Sequence, residues 1–146
     1  MPVLAANPAF VAYAVSVLVL SANLLFLWAY SGSVRGKTKT TPNKEDSKGG
    51  ASLVESEPPE VARVLRAHKN AMANIVPFAI LGLVYVLAGG NATVAVAVFG
   101  VFTFARLAHS FAYLGGKQPW RSIWFGLGGL ATLTLMGFIV RALVAA

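Results

Sequence analysis

Long apolar stretches alternate with short polar segments along the whole chain. A helix needs about 20 mainly apolar residues to cross the hydrocarbon core of a bilayer, and the sequence offers that length four times. The second stretch begins in polar sequence, where Pro58 and Pro59 precede Glu60 in a pattern typical of a helix start. We therefore predict an all-α bundle of four transmembrane helices in a single domain over residues 1–146, with helices at 8–31, 60–88, 93–115 and 120–143.

The segments between the predicted helices differ in charge. Residues 32–59 are rich in Gly, Ser, Lys, Pro, Asp and Glu and lack periodicity, which indicates a water-exposed loop. This loop and the turn at 115–119 contain Lys or Arg, whereas the turn at 89–93 contains neither. Because Lys and Arg concentrate in cytosolic loops, we predict a cytosolic loop 32–59 and two non-cytosolic termini. Both a bacterial inner membrane and the endoplasmic reticulum fit this pattern.

Composition narrows the classes of function. Apolar residues make up 57% of the chain and charged residues only 12%, which fits a protein embedded in a lipid bilayer. The net charge of +7 does not indicate nucleic-acid binding, because the basic residues lie at helix ends and no known nucleic-acid-binding motif is present. The absence of cysteine excludes disulfides, cysteine-ligated metals and thiolate chemistry by the protein itself, and no metal site is predicted.

Polar and ionisable residues recur at helical spacing inside the second and third predicted helices, and an adjacent polar pair lies near the start of the fourth. At intervals of three and four residues, such side chains share one face of a helix. All of them lie toward the same end of their helices, so we predict that they converge into a basic pocket lined by the rings of Tyr113, Trp124 and Phe125. The polar residues concerned are Arg66, Asn70, Asn74, Arg106, His109, Tyr113, Arg121 and Ser122.

Taken singly, most of these residues also have an ordinary structural explanation. Arg66 or Arg121 alone would be an interface residue whose charge reaches the lipid headgroups, and Asn70 would be a hydrogen-bonding contact between helices. Arg106 is different, because it lies about two turns inside the lipid boundary, and a charge at mid-bilayer costs roughly 2.5–3.5 kcal/mol. All five carboxylates of the chain lie between residues 45 and 60, outside the apolar spans. A surplus of buried cations predicts an anionic ligand.

Two segments resemble a known protein family. "RVLRAHKNAMANIVPF" at 63–78 and "ARLAHSFAYLGGKQPWRSIWF" at 105–125 are similar to the membrane-associated proteins in eicosanoid and glutathione metabolism. The loop stretches "GSVR" at 32–35 and "KEDSKGG" at 44–50 also look like the equivalent stretches of that family. The resemblance therefore covers essentially the whole chain in order, and it is strongest to the family's prostaglandin synthases and glutathione transferases.

The resemblance implies a homotrimer of four-helix subunits, with glutathione bound between neighbouring subunits near the cytosol. By position it implies that Arg121 and Ser122 face the glutathione thiol and that Asp46 is a catalytic partner. The residues that it assigns to the glutathione site are Arg35, Arg66, Asn70, Arg106, His109, Tyr113, Arg121, Ser122 and Phe125.

Three positions depart from the family pattern. Ala73 stands where the family usually has a glutamate, which would contact the ammonium group of glutathione. Phe125 stands where the prostaglandin synthases have tyrosine, so the ring is kept and a hydroxyl is lost. Lys69 occupies a position that is often arginine. These departures bear on how glutathione is held.

The leading prediction is a membrane-embedded glutathione transferase or peroxidase that activates the glutathione thiolate against lipophilic electrophiles or hydroperoxides from the lipid bilayer. Arginine side chains hold carboxylates bidentately, and Arg121 with Ser122 would favour thiolate over thiol. Two alternatives remain open. One is a glutathione-dependent isomerase of a prostaglandin endoperoxide, and the other is a non-catalytic lipid-binding protein of the same family.

Overall fold

Four long helices form the body of the protein. The computed structural model describes Leu4 and residues 6–144, without the side chain of Lys48. Within that part of the chain all four helices are long and apolar enough to cross a membrane, so the predicted four-helix membrane fold is confirmed. The helices are α1 (Pro8–Thr38), α2 (Pro59–Leu87), α3 (Ala92–Leu114) and α4 (Trp120–Val144).

The first helix is longer than its apolar sequence indicated. It ends at Thr38, so the prediction of a loop from residue 32 was wrong. Two physical features extend it: Arg35 and Lys37 lie in the last turn, where cations interact favourably with the helix dipole, and the Thr38 hydroxyl donates to the carbonyl of Arg35 at 3.1 Å. The helix stops at Lys39, which adopts a left-handed conformation with a φ of 50°.

A small ordered unit, residues 39–57, follows α1, and we call it the loop cap. Strand β1 (Thr40–Thr41) pairs in parallel with β2 (Ser52–Leu53), and a 3₁₀ helix (Lys44–Gly49) lies between them. The Arg35 guanidinium forms an ion pair with the carboxylate of Glu57, which joins the end of α1 to the end of the loop cap. The loop cap is thus closed on itself beside the helices.

Both α2 and α3 pack against all three other helices, and the most extensive helix contact is that between α3 and α4. Phe102 of α3 stacks on Phe78 of α2 with ring centroids 3.5 Å apart, and both rings are buried. Asn91 caps the start of α3, where its side-chain oxygen accepts from the backbone N–H groups of Thr93 and Val94. The core therefore fixes α2 and α3 face to face at the depth where their polar residues lie.

The outer surface of the bundle is apolar. Leu18, Trp28 and Phe111 are each at least 65% exposed. Extensive exposure of large apolar side chains marks contact with a membrane or another protein. Together with the length of the helices, it fits an integral membrane protein whose sides contact lipid.

Candidate functional site

The centre of the candidate site is a buried arginine in α3. Arg106 is 0% exposed and is the largest of the fully buried side chains in the described part of the chain. Its Nη2 donates to Oδ1 of Asn70 at 2.6 Å and lies 3.4 Å from Nδ1 of His109. Its Nε and Nη1 have no hydrogen-bond partner among the described residues. Since a guanidinium carries five N–H donors and no acceptor, Arg106 retains donors for an anion.

The local sequence explains how this arginine is accommodated. Arg106 and His109 are three residues apart, so they share a face of α3, and Asn70 meets them from α2. On the other side α4 contributes Gly128. A Cβ at Gly128 would lie only 3.3 Å from Cδ of Arg106. Glycine at this position allows α4 to close over the arginine.

Aromatic rings continue the site from Arg106 toward α4. The ring of His109 lies 5.6 Å from that of Tyr113 and 6.0 Å from that of Phe125, measured between centroids. The guanidinium carbon of Arg121 lies 4.8 Å from the centroid of Tyr113, a cation–π contact. His109, Tyr113, Arg121 and Phe125 therefore form one contiguous surface.

Trp124 differs from its predicted place in the pocket. Its ring packs edge-on against Phe104 with centroids 5.4 Å apart and stacks near Trp120 at 6.2 Å. Phe104 and Trp120 are both more than half exposed, at 59% and 53%. Trp124 is therefore part of the outer aromatic surface of the bundle, whereas Tyr113 and Phe125 contact the site histidine.

Sequence reasoning missed one residue that organises the site, Gln118. In the amide orientation that satisfies both neighbours, its oxygen accepts from Nη2 and Nε of Arg121 at 2.8 and 3.2 Å. Its nitrogen then donates to the Ser122 hydroxyl at 3.1 Å. Gln118 lies two residues before α4 begins at Trp120, so helical spacing gave no signal for these contacts. One amide thus holds the two side chains that were predicted to face a thiol.

Two predicted residues, Arg35 and Asp46, lie apart from Arg106. They line a cavity of about 620 Å³ formed by the end of α1 and the loop cap. The Asp46 carboxylate accepts from Nδ2 of Asn43 at 3.0 Å, and Arg35 is paired with Glu57. Among the described residues no hydrogen bond or ion pair links Asp46 to Arg121. A single chain therefore does not bring all of the predicted residues together.

Arg66 and two of the positions that depart from the family pattern lie on the outer face of α2. Arg66, Lys69 and Ala73 are exposed there, and Ser122 is exposed on α4. Asn74 donates from Nδ2 to the backbone carbonyl of Asn70 at 2.8 Å, a contact within α2 itself. Basic residues thus lie both in the interior of the bundle, at Arg106, and on its surface, at Arg66.

The sequence matches the family model described as MAPEG family over residues 12–141. The chain belongs to the MAPEG family. Prostaglandin E synthase from Homo sapiens is 39% identical over 127 residues, which cover 85% of this chain and 83% of that protein. Microsomal glutathione S-transferase 1 from Rattus norvegicus is 35% identical over 140 residues, which cover 92% of this chain and 88% of that protein. The MAPEG match contains every residue of the candidate site.

Proposed function

We propose that this MAPEG protein is a membrane-embedded glutathione transferase or peroxidase acting on lipophilic electrophiles or hydroperoxides. The observation that carries the proposal is the fully buried Arg106, whose Nε and Nη1 lack partners among the described residues. Arg121 supplies a second cation on the same aromatic surface. Relatives from rat and pig at 35% identity are named microsomal glutathione S-transferase 1, which supports this reaction class.

The charges of the site suit glutathione. Glutathione carries two carboxylates, and arginine binds a carboxylate through two parallel hydrogen bonds. Arg106, oriented by Asn70 and His109, has two unused donor nitrogens for such a group. Each carboxylate that pairs with an arginine also offsets the cost of burying that arginine. Ligand binding and the stability of the site are therefore linked.

Thiol activation is the role we assign to Arg121 and Ser122. A cation and a hydroxyl donor beside a sulfur favour the thiolate and lower the pKa of the thiol below its ordinary value of about 8.5. Gln118 bonds to both side chains and fixes their relative position. Because the chain contains no cysteine, the sulfur nucleophile is that of the bound glutathione. Asp46 is proposed as the catalytic partner of this pair.

The test is glutathione-dependent turnover by the Arg121→Ala variant, with Arg141→Ala as the matched control. Both variants remove one arginine from α4, but Arg141 lies in its last turn, at the opposite end from Arg121. We expect Arg121→Ala to lose turnover and the thiolate absorbance of bound glutathione near neutral pH, while Arg141→Ala keeps both. Unchanged turnover in Arg121→Ala would refute the mechanism.

A second candidate reaction is isomerisation of a prostaglandin endoperoxide, with glutathione regenerated in each cycle. It is favoured by the 39% identity to human prostaglandin E synthase. Product analysis separates the two reactions, because transfer leaves a thioether and isomerisation leaves glutathione unchanged.

A non-catalytic lipid-binding role is the third candidate, motivated by Ala73. This lipid-binding role becomes the best-supported candidate if glutathione fails to bind at millimolar concentration while a lipophilic ligand binds.

We also propose a homotrimer in which glutathione lies between subunits. Arg66, Ser122 and Phe125 are exposed in the single subunit, and a neighbouring copy would cover them. Native mass spectrometry of the purified protein tests the trimer.

We also propose that the loop cap lies in the cytosol and that both termini lie on the other side of the membrane, following the distribution of Lys and Arg. Reporter fusions to the C-terminus test that orientation.

A further inference from the structure

A second recess lies at the loop-cap end of the bundle, and it is lined by none of the residues assigned to glutathione. Its volume is about 380 Å³, in the lower part of the range typical of small-ligand pockets. It is bounded by the end of α1, the start of α2 and the last residue of α3. This recess is a distinct feature of each subunit.

The charged groups of the recess are Lys37, Arg63 and Glu60. Among the described residues the one ion pair within 4.0 Å joins Arg35 to Glu57, so these three charges are not paired with each other. Two cations and one carboxylate in the same recess complement a ligand that carries both a phosphate and an ammonium group.

The wall below these charges is apolar and continues along α1. Val34, Val64 and Leu114 line the recess together with the ring of Tyr30. The Tyr30 ring stacks on Phe26 one turn farther into the span, with centroids 5.7 Å apart, and Phe26 is 46% exposed. An exposed aromatic track leading away from a polar recess fits an acyl chain below a headgroup.

Arg63 lies close to the turn between α3 and α4. Its Nη1 lies only 2.9 Å from where a Cβ would stand at Gly116, whose φ is +65°. Only glycine suits that backbone conformation and that close approach. The lack of a side chain at Gly116 therefore leaves room for the guanidinium of Arg63, an exposed residue, beside the recess.

We infer that this recess binds the headgroup of a phosphatidylethanolamine molecule. Lys37 and Arg63 contact the phosphate, Glu60 accepts hydrogen bonds from the primary ammonium, and the acyl chains follow the surface of Phe26 and Tyr30. Basic recesses between membrane helices are established positions for lipid headgroups. The carboxylate of Glu60 selects ethanolamine over choline, because a quaternary ammonium has no N–H to donate.

Native mass spectrometry of the full-length protein tests the inference, with phosphatidylethanolamine and phosphatidylcholine of identical acyl chains added in equal amounts. We expect the wild type to retain phosphatidylethanolamine about tenfold better, the size of a charge-assisted hydrogen bond. Glu60→Gln should abolish that preference while still binding lipid. The double variant Lys37→Gln, Arg63→Gln should lose binding of both lipids.

Lys117→Gln is the matched control, since it removes an exposed cation from the adjacent turn but not from the recess. Circular dichroism and gel filtration verify that each variant is folded. Equal binding of the two lipids by the wild type would overturn the inference, as would an unchanged preference in Glu60→Gln. Displacement of the lipid by glutathione, which carries the same kinds of charge, would also overturn it.

Discussion

The amide nitrogen of Asn23 in α1 donates a hydrogen bond to the hydroxyl of Ser110 in α3 across 3.1 Å. Both side chains are buried, at 6% and 2% exposure. The Ser110 hydroxyl in turn donates to the backbone carbonyl of Arg106 at 3.1 Å. A polar link therefore joins α1 to the turn of α3 that carries Arg106 and His109.

We predict an energetic coupling between Asn23 and Ser110. Interhelical hydrogen bonds in membrane proteins average about 0.6 kcal/mol and reach about 1.7 kcal/mol. Ser110→Ala should therefore lower the free energy of unfolding by about 1 kcal/mol in the wild type and by much less when Asn23 is already alanine. Denaturant unfolding in detergent of the two single variants and the double variant measures the coupling.

Ser31→Ala is the control for this cycle. Ser31 is also buried, at 8% exposure, but its hydroxyl donates to the carbonyl of Trp28 within α1. Its removal should be independent of Asn23. Ser110→Ala and Ser31→Ala are each combined with Asn23→Ala. If the effects on the free energy of unfolding simply add in both double variants, the hydrogen bond between Asn23 and Ser110 adds no stability.

Replacing Arg106 with lysine should weaken glutathione binding. Lysine keeps the charge but lacks the planar fork that binds a carboxylate bidentately, so we expect KM for glutathione to rise by about tenfold or more. Steady-state kinetics with glutathione varied measures this effect. A variant that folds, as judged by circular dichroism, and keeps the wild-type KM would remove Arg106 from the glutathione site.

Ala73→Glu should strengthen glutathione binding. Ala73 is exposed on α2, and a carboxylate there restores the group that the family usually directs at the ligand ammonium. We expect Kd to fall by about fivefold, a modest charge-assisted interaction at an exposed position. Calorimetric titration measures Kd, and Met72→Glu, at the neighbouring exposed position, is the control that should not improve it.

Asp46→Asn should lower kcat and leave KM for glutathione unchanged. If Asp46 moves a proton in the reaction, its loss reduces the rate by about 10²-fold. Asn43→Ala removes the hydrogen bond that Asn43 donates to Asp46 within the loop cap but keeps the carboxylate. This variant therefore distinguishes the structural role of Asp46 from its proposed catalytic role. Equal losses in the two variants would assign Asp46 a purely structural role.

The sequence predicted those features that depend on local spacing. Apolar length identified four helices, and the interval between Arg106 and His109 predicted one helix face, which the structure places against Asn70. Asn23 escaped notice because a single amide in an apolar helix has no periodicity. Its partner is 87 residues away in the chain, and only packing reveals such a pair. The role of Gln118 likewise depends on an amide orientation that no spacing encodes.

The end of α1 was misjudged for a related reason. Glycines at 32 and 36 lower helix propensity, and the change to polar sequence suggested a loop. The final turns persist because Arg35 pairs with Glu57 and the Thr38 hydroxyl donates to the carbonyl of Arg35. Tertiary contacts thus decided a boundary that propensity left ambiguous.

Arg35 and Glu57 are 22 residues apart in sequence, yet their ion pair joins the last turn of α1 to the far end of the loop cap. A segment clasped at its base can be exchanged for a shorter or longer one without moving the helices on either side. The loop cap can therefore be replaced as a unit, by natural variation or by design, while the four-helix bundle keeps its architecture.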